Sequence, residues 1–447
     1  MPLSRRSFLY TAGWGAITVA AGRPLANEPG KSPVPTSPSI STPDRPFDEI
    51  LPHLVTSAER GVPYLQDSLT SAAVAPALLD IRTELADPSR YGRRSAGWVV
   101  DAVPGNASTS VTLRERATLG NRSQLSRFTF QSTQRGMPSG EHGMVEMRLC
   151  RGTTWENVPV RIRIENGAFS IFSLNKDTLL AGDPEKRIFL WEPDALYTLS
   201  VLLFQKAIYA RLTSLALPQG PIDLVVSDRR RFIPGLPGFG LRPNSKAKGS
   251  LLIRDWEVHP VGPADQCYLG VIGDSITAGS DLEPEAESYA HLVTRGLGQP
   301  YVLNVGSGGS TTRLDAARFP YEIAPFQPKI VWLEGGTNDL AGEVSADTIF
   351  ANLLHQRDLV TWGGRVALST VPPRILPTSR MQEELEILNR RIRESGLPYV
   401  DRNRVVGDTL DPTQIRSEFR HADGIHITRP GHAAIAEAAL ALFRPWR

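Results

Sequence analysis

The chain has 447 residues, which is more than one hydrophobic core usually organises, so we expect two or more domains. A hydrophobic content of 41% and a charged content of 21% are typical of a soluble globular protein. The formal net charge is +2, and three positive charges lie in the first 26 residues, at Arg5, Arg6 and Arg23, so the remainder carries −1. This balance gives no reason to expect nucleic acid as a partner. The two cysteines, Cys150 and Cys267, lack the paired spacing of a zinc site, and we expect unpaired thiols.

Residues 1–26 have the pattern of an export signal. The basic segment Ser4 to Leu9 precedes an uncharged apolar run, Thr11 to Ala21, and Pro24-Leu25-Ala26 offers a small residue for cleavage. The paired arginines resemble a twin-arginine signal, which implies the twin-arginine export machinery as a partner of the precursor. The apolar run is too short to span a bilayer, so we expect no stable membrane anchor. The sequence therefore predicts a periplasmic or secreted protein.

Two segments without a predicted role follow the signal. Residues 27–46 are rich in proline and serine, which cannot bury enough apolar surface to order the chain, and they are predicted to form a linker. Residues 47–95 are predicted to be a helical segment, with amphipathic patterns around Phe47 to Glu59 and Ser71 to Leu85.

Residues 96–262 are predicted to form an antiparallel β-sandwich or jelly-roll domain, because short strands alternate with glycine and proline turns. Apolar and polar residues alternate from Val158 to Glu165, and Asn166-Gly167 then predicts a hairpin. The segment Pro260-Val261-Gly262-Pro263 predicts a linker at the end of the domain. The further predicted strands are Tyr197 to Leu203, Ile208 to Leu215, Ile222 to Val226 and Leu251 to Val258.

Aromatic side chains of such a sandwich are suited to binding glycans when they are exposed. The candidates are Trp155, Trp191, Tyr197 and Trp256. For any one of them the pattern favours core packing, because tryptophan and tyrosine commonly fill sandwich interiors.

Residues 267–447 alternate predicted strands with predicted helices, which is typical of a doubly wound α/β domain with a parallel sheet. The predicted strands are Leu269 to Gly273, Tyr301 to Val305, Lys329 to Leu333, Arg365 to Thr370 and Tyr399-Val400. The predicted helices are Ser288 to Leu297, Ser345 to Trp362, Met381 to Ser395 and Gly431 to Phe443.

Polar clusters follow the strands of this domain, where open α/β sheets bind their ligands. Gly273-Asp274-Ser275 breaks the first strand and directs a serine hydroxyl away from the sheet edge. Asn304 to Thr311 follows the second strand, and Glu334 to Asp339 follows the third. Asp423 to His426 lies before the last helix.

These clusters contain the groups that acyl transfer through a serine requires. A serine needs an adjacent base, and His426 is suited to that role. Asp423 lies three residues earlier, close enough to orient the imidazole and stabilise its charged form. The tetrahedral intermediate needs hydrogen-bond donors, for which the N–H of Ser275, the N–H of a loop glycine and the Asn338 amide are suited.

The order Gly-Asp-Ser, Asn-x-Gly-x-x-Gly, Gly-x-Asn-Asp and Asp-x-x-His resembles the SGNH (GDSL-like) hydrolase family over about residues 267–445. The resemblance implies a flavodoxin-type sheet, with Ser275 as nucleophile, His426 as general base and Asp423 orienting it. Ser275, Gly309 and Asn338 would form the oxyanion hole, and Gly309 matches the family's second-block glycine by its offset from Asn304. The resemblance also implies that no metal or organic cofactor is needed.

Other residues compete for these roles. His421 has an acid, Glu418, at the same offset that Asp423 has from His426, whereas His432 has Arg429 there. We rank both histidines below His426, because only Asp423 and His426 fit the last block of the family.

Glu334 follows a buried strand, and we expect a hydrogen bond from this acid to the loop of Ser275.

The sequence thus predicts an exported serine esterase that hydrolyses acyl esters, chiefly O-acetyl esters, of a carbohydrate. One alternative is a lipolytic or thioester hydrolase with the same mechanism. Another is a glycan O-acetyltransferase that uses the same three residues. A third is a glycan-binding protein with an inactive hydrolase domain. These assignments rest on the resemblance and on the predicted domains, since a fold does not fix a substrate.

Overall fold

The structure is a computed structural model. It describes residues 47–68, 79–83, 91–94, 97–101, 109–113, 123–132, 144–151, 160–165, 167–173, 178–184, 188, 192, 194–204, 207–227, 236–242, 250–265, 267–279, 282 and 287–447. The predicted signal at 1–26, the predicted linker at 27–46 and the aromatic candidates Trp155 and Trp191 lie outside these residues.

One short helix and sixteen strands make up the described part before residue 264. They are α1 (Phe47–Ile50), β1 (Leu54–Thr56), β2 (Leu65–Ser68), β3 (Leu79–Thr83), β4 (Tyr91–Arg94), β5 (Gly97–Asp101), β6 (Thr109–Leu113), β7 (Gln124–Ser132), β8 (Met144–Arg151), β9 (Val160–Glu165), β10 (Ala168–Ser173), β11 (Thr178–Gly182), β12 (Leu196–Phe204), β13 (Ala207–Thr213), β14 (Ile222–Ser227), β15 (Leu236–Arg242) and β16 (Ser250–Pro263).

These strands form two antiparallel sheets. The first has the order β14-β13-β12-β7-β16-β5-β4, with β1 and β2 also paired to β16, and the second has the order β11-β10-β9-β8-β15-β6-β3. Alternate residues of β9, Val160, Ile162 and Ile164, are at most 1% exposed and pack in one core with Phe128 and Tyr197 of the first sheet. The shared core confirms the predicted antiparallel β-sandwich.

Where the structure describes residues 47–95, strands replace most of the predicted helical segment. In the first predicted helix, only α1 and the 3-10 turn Leu51–His53 are helical, and β1 comes next and pairs with β16. In the second, the described residues form β3, which pairs with β6. The helix prediction was wrong because the unpaired edges of the two sheets accept these short segments, and local periodicity does not register such distant pairing.

In the sandwich region the predicted linker is wrong, whereas the core packing favoured for the aromatic candidates is confirmed for Tyr197 and Trp256. Pro260 to Pro263 is not a linker, because β16 continues through it and pairs with β1 from Val261 to Pro263. Pro260 still accepts a 2.9 Å hydrogen bond at its carbonyl from the N–H of Ser57. Tyr197 and Trp256 are at most 1% exposed, so these two aromatics belong to the core.

The remaining chain is an α/β domain, as predicted. Its elements are β17 (Leu269–Ile272), α2 (Tyr289–Gly296), β18 (Leu303–Asn304), α3 (Thr312–Glu322), β19 (Ile330–Leu333), α4 (Thr337–Ala341), α5 (Ala346–Asp358), β20 (Arg365–Ser369), α6 (Ser379–Glu394), β21 (Tyr399–Val400), α7 (Arg402–Val406) and α8 (Arg429–Phe443), with short 3-10 turns at Ala324–Phe326 and Arg444–Trp446.

The five strands form a parallel sheet with the order β18-β17-β19-β20-β21 and helices on both faces. Successive residues of β19 enter different cores, since Val331 and Leu333 pack with α3, α5 and α6, whereas Ile330 and Trp332 pack with α2 and α8. Because the strands are parallel, their carboxyl ends and the loops that follow them share one edge of the sheet.

Residues on both sides of Pro263 pack against each other. Val55 of β1 packs against the core formed by α3, α5 and α6, and Tyr301 packs against the core that contains α1. The rings of Tyr64 and Tyr321 lie 5.2 Å apart, edge to face.

Cys267 is 2% exposed and has a free thiol, and burial raises the pKa of this thiol to about 12. Within the described ranges, no helix has the length and apolar character needed to cross a bilayer.

Candidate active site

Ser275 lies on a tight turn at the carboxyl end of β17. Gly273 ends the buried strand, and a Cβ on it would lie 2.4 Å from Thr277 Oγ1, so the turn requires a residue without a side chain. Asp274 is 1% exposed, and its Oδ1 accepts a 2.9 Å hydrogen bond from the N–H of Ile276. These contacts fix the turn and leave Ser275 half-buried at the sheet edge.

A continuous hydrogen-bonded path connects Ser275 to an imidazole and a carboxylate. His426 Nε2 lies 2.8 Å from Ser275 Oγ, and His426 Nδ1 lies 2.5 Å from Asp423 Oδ2. The other carboxylate oxygen, Asp423 Oδ1, accepts hydrogen bonds of 2.9 Å from the N–H groups of Ile425 and His426. Because both oxygens of Asp423 are hydrogen-bonded within its own loop, this carboxylate is held in one orientation. Its Oδ2 accepts from His426 Nδ1, so Nδ1 is the ring nitrogen that carries the proton.

The electrostatics of this loop keep the acid charged. Burial acts to raise the pKa of Asp423, but hydrogen bonds from the ring and N–H of His426 and from Ile425 outweigh it, so this pKa lies well below its usual range. The side chains of His426 and Asp423 are 22% and 38% exposed. A substrate can therefore reach the pair from solvent while the carboxylate remains ionised.

The two competing histidines lie elsewhere in the network. The Nδ1 atom of His421 is 3.6 Å from Asp423 Oδ2, which is beyond hydrogen-bond distance. This ring nitrogen has no hydrogen-bond partner in the described part of the chain. His432 is 2% exposed, and its Nδ1 accepts a 3.2 Å hydrogen bond from the N–H of Tyr289, on whose ring it stacks. Of the three histidines, His426 is the one that contacts Ser275.

The loop after β18 is bound directly to the Ser275 turn. Asn304 Nδ2 donates to the carbonyl oxygen of Thr277 at 2.9 Å, and the N–H of Ser307 donates to the carbonyl oxygen of Gly273 at 2.9 Å.

The glycines of this loop differ in what surrounds them. A Cβ on Gly306 would lie 2.3 Å from the nitrogen of Ala278, so Gly306 permits close contact between the loops.

Gly309, the predicted oxyanion donor, is exposed and has a φ of +75°, with open space where a Cβ would be. The neighbouring Ser310 accepts a 2.9 Å hydrogen bond at its carbonyl oxygen from Asn338 Nδ2. Asn338 is half-buried in the first turn of α4, directly after β19. The structure therefore brings the loops of Gly309 and Asn338 together at the edge where Ser275 lies.

Beneath the Ser275 turn, Glu334 receives three hydrogen bonds on one buried oxygen. Its Oε2 accepts from Thr277 Oγ1 at 2.5 Å, from Arg402 Nη1 at 2.7 Å and from the hydroxyl of Tyr289. Burial raises the pKa of Glu334, and the positive charge of Arg402 opposes this. The bond from Thr277 confirms the contact expected between Glu334 and the Ser275 loop. No local pattern marks Arg402, which lies 68 residues away along the chain.

A second buried ion pair supports the neighbouring loop. Arg318, 6% exposed, binds Asp315 at 2.7 Å and Glu322 at 2.6 Å, and it donates to the carbonyl oxygens of Val305 and Gly273. Asp315 and Glu322 share one face of α3 with Arg318, at spacings of three and four residues, so this cluster did have a local signal that sequence reasoning missed.

In the described part of the chain, no group of three or more histidine, cysteine, aspartate or glutamate side chains is placed to hold a metal ion.

Comparison with known proteins identifies the domain that carries this site. Residues 271–434 match the model of the GDSL-like Lipase/Acylhydrolase family. Among curated proteins, none matches the chain.

Several solved structures each match about two fifths of the chain. A GDSL-like lipase from Bacteroides thetaiotaomicron is 18% identical over 42% of this chain and 92% of its own, with a TM-score of 0.36. A variant of Axe2, a Geobacillus acetyl-xylooligosaccharide esterase, is 23% identical over 39% of this chain and 92% of its own, with a TM-score of 0.32. A carbohydrate esterase family 3 protein from Talaromyces cellulolyticus is 17% identical over 40% of this chain and 97% of its own, with a TM-score of 0.32. At these values the likenesses do not bear on the substrate.

Proposed function

We propose that this chain is an exported serine esterase acting on O-acetyl esters of a carbohydrate, because residues 271–434 match the model of the GDSL-like Lipase/Acylhydrolase family, whose members hydrolyse ester bonds. The observation that carries the proposal is the hydrogen-bonded path from Ser275 through His426 to Asp423. It supplies the nucleophile, the base and the orienting acid that ester hydrolysis requires.

In the acylation step, Ser275 Oγ attacks the carbonyl carbon of the ester while His426 Nε2 takes the hydroxyl proton. Asp423 stabilises the resulting imidazolium through Nδ1. The N–H groups of Ser275 and Gly309 and the amide of Asn338 bind the negative oxygen of the tetrahedral intermediate. The intermediate then collapses as its bond to the sugar oxygen breaks, and this oxygen takes the proton from His426 and leaves as the free hydroxyl.

Deacylation repeats these steps with water as the nucleophile. His426 takes a proton from the water, the water oxygen attacks the acyl carbon, and the Ser275 oxygen leaves with the proton returned by His426. Acetate is released and the free serine is restored.

Two observations support a short acyl group on a polar alcohol. In the described part of residues 267–447, the only large hydrophobic side chains that are exposed are Ile375 and Leu410, whereas a long acyl chain requires a continuous apolar groove. The β-sandwich before the hydrolase domain adds a second folded unit of the kind that commonly binds glycans. Export of the precursor would place the enzyme where polysaccharides are found.

The experiment that tests the function measures acetate released from acetylated xylan, pectin, cellulose and peptidoglycan, with Ser275→Ala as the matched inactive variant. Ser275-dependent release from one of them is the expected result. A series of p-nitrophenyl esters from acetate to palmitate tests the lipolytic alternative, for which activity would peak at long chains. Acetyl transfer to an added sugar in excess of hydrolysis would indicate a transferase. Equal inactivity of both proteins, with glycan binding retained, would indicate an inactive hydrolase domain.

Export is tested separately from chemistry. Residues 1–46 fused to a reporter that functions only after twin-arginine export should yield a periplasmic or secreted reporter, and Arg5→Lys with Arg6→Lys should retain it in the cytoplasm. An unchanged distribution of the doubly substituted fusion would contradict the twin-arginine route.

A further inference from the structure

Arg374 stands at the same edge of the parallel sheet as the proposed catalytic residues. It lies in the loop between β20 and α6, and β20 is the direct neighbour of β19, which carries Asn338 on its following loop. Arg374 Nη1 donates a 3.0 Å hydrogen bond to the carbonyl oxygen of Thr337, the residue before Asn338. This bond attaches the guanidinium to the first turn of α4.

The loop that holds Arg374 has little conformational freedom. Pro372 and Pro373 precede the arginine and Pro377 follows it, and each proline fixes its own φ. Leu376, 6% exposed, packs into the core with α5 and α6. A side chain held on such a loop loses little freedom when it binds a ligand.

The charge of Arg374 has no ionic partner in the described part of the chain. The other two arginines buried in this domain each bind a carboxylate, Arg318 at 2.6 Å and Arg402 at 2.7 Å. Arg374 is half-buried, and its Nε is enclosed without any hydrogen-bond acceptor. A guanidinium in this position loses hydration and forms no direct ion pair with a protein carboxylate in return.

Asp274 is the acid whose charge acts on Arg374. Burial lowers the pKa of Arg374, and the negative charge of Asp274 acts to raise it. The two side chains form neither a hydrogen bond nor an ion pair, and Asp274 Oδ2 is itself buried without a partner. Nη1 bonds Thr337, and in the described part of the chain Nη2 makes no hydrogen bond, so the two Nη groups of Arg374 keep N–H donors for another anion.

We propose that Arg374 is a specificity-determining residue that binds the carboxylate of an acidic sugar, so that the preferred substrate is an O-acetylated uronic-acid residue. This inference rests on the proposed esterase function. A planar carboxylate fits a guanidinium through two parallel N–H···O bonds, which positions the neighbouring ester as well as attracting the sugar. A neutral sugar leaves the same donors without an acceptor.

The test compares two substrates that differ in one charge: an O-acetylated methyl glucuronoside and its methyl ester, with acetate release giving kcat/KM for each. For the wild type we expect the acid to be preferred by about 10- to 100-fold, the range for one hydrogen bond to a charged group. Arg374→Gln should reduce the ratio to about 1. The preference of the wild type should weaken in high salt, since the site is half-open to solvent.

Arg365→Gln is the matched control, because it removes the same charge from the exposed opposite end of the same strand. It should retain the acid preference. Equal kcat/KM for the two sugars in the wild type would overturn the inference and leave the esterase function standing. If Arg374→Gln lowers kcat/KM equally on both sugars, so that the ratio between them is retained, the inference is also overturned. Arg374 would then serve to offset the negative charge of Asp274. If neither sugar is hydrolysed while p-nitrophenyl acetate is, in a Ser275-dependent manner, the carbohydrate proposal fails first.

Discussion

The carboxylate of Glu334 supports the Ser275 turn from inside the protein, and Glu334→Gln removes its charge with almost no change in volume. Glu334 and Arg402 are both 0% exposed and lie 2.7 Å apart. In the variant, the charge of Arg402 stays buried without its counter-ion. The amide also presents two N–H donors to Thr277 and Tyr289, whose hydroxyls donate to this oxygen in the wild type.

The magnitude follows from breaking one side of a buried ion pair, which costs about 3–5 kcal/mol of unfolding free energy. Thr277 also loses its anchor two residues after Ser275, so we expect kcat to fall by about 10- to 100-fold, as for small displacements of reacting groups. Urea unfolding gives the first quantity, and p-nitrophenyl acetate hydrolysis by the folded variant gives the second.

Asp358→Asn is the matched control, since it makes the same acid-to-amide change in an ion pair with Arg357 whose side chains are 36% and 61% exposed. That change should cost less than about 1 kcal/mol, as is usual for surface pairs. If Glu334→Gln also costs less than about 1 kcal/mol and leaves kcat within about twofold, the buried pair does not support the turn, and our account of it is refuted.

Three further predictions concern other groups. Asn338→Ala should lower kcat by about 100- to 1,000-fold, because it removes one oxyanion donor, and stability by about 1 kcal/mol, because it also removes the hydrogen bond to Ser310; an unchanged kcat would exclude the oxyanion role. His426→Ala should abolish activity and His421→Ala should retain most of it, whereas the reverse order would make His421 the base. Burial lowers the pKa of His259 from its ordinary 6.5 to about 4. As the pH drops from about 6.5 to 4, the imidazole is therefore protonated in the unfolded chain before it is protonated in the folded one, and the free energy of unfolding falls by about 3 kcal/mol in all. His259→Asn, which keeps an acceptor for the N–H of Tyr64, should flatten that loss in thermal unfolding at each pH; parallel curves for both proteins would contradict the assignment.

The parts of the molecule that depend on local pattern were predictable. Continuous apolar runs such as that ending at Ile272 gave the buried parallel strands, and serine or threonine before a periodic segment gave helix starts, as at Ser345. The polar clusters after the strands could be assigned to one edge because parallel strands share it. The short loop from Asp423 to His426 carries its acid and base together, so this pair was visible in sequence.

The parts that depend on distant pairing were not predictable. A segment with a weak helical pattern such as Leu79–Thr83 becomes a strand because β6 offers it unpaired backbone groups. Prolines normally end strands, but Pro260 lies where its missing N–H costs no ladder bond that its neighbours need. Arg402 and Glu334 meet only after the sheet has formed, so neither residue marks the other in sequence.

The passage of β16 through Pro260–Pro263 has a practical consequence for how this enzyme can be dissected. A Cβ on Gly262 would lie 2.6 Å from the ring of Phe326, so the last strand of the sandwich presses directly on the hydrolase. Severing the chain there would strip Phe326 of its cover and leave Val55 without the apolar neighbours it packs against. We therefore expect the catalytic half, expressed by itself, to expose this apolar surface and to aggregate.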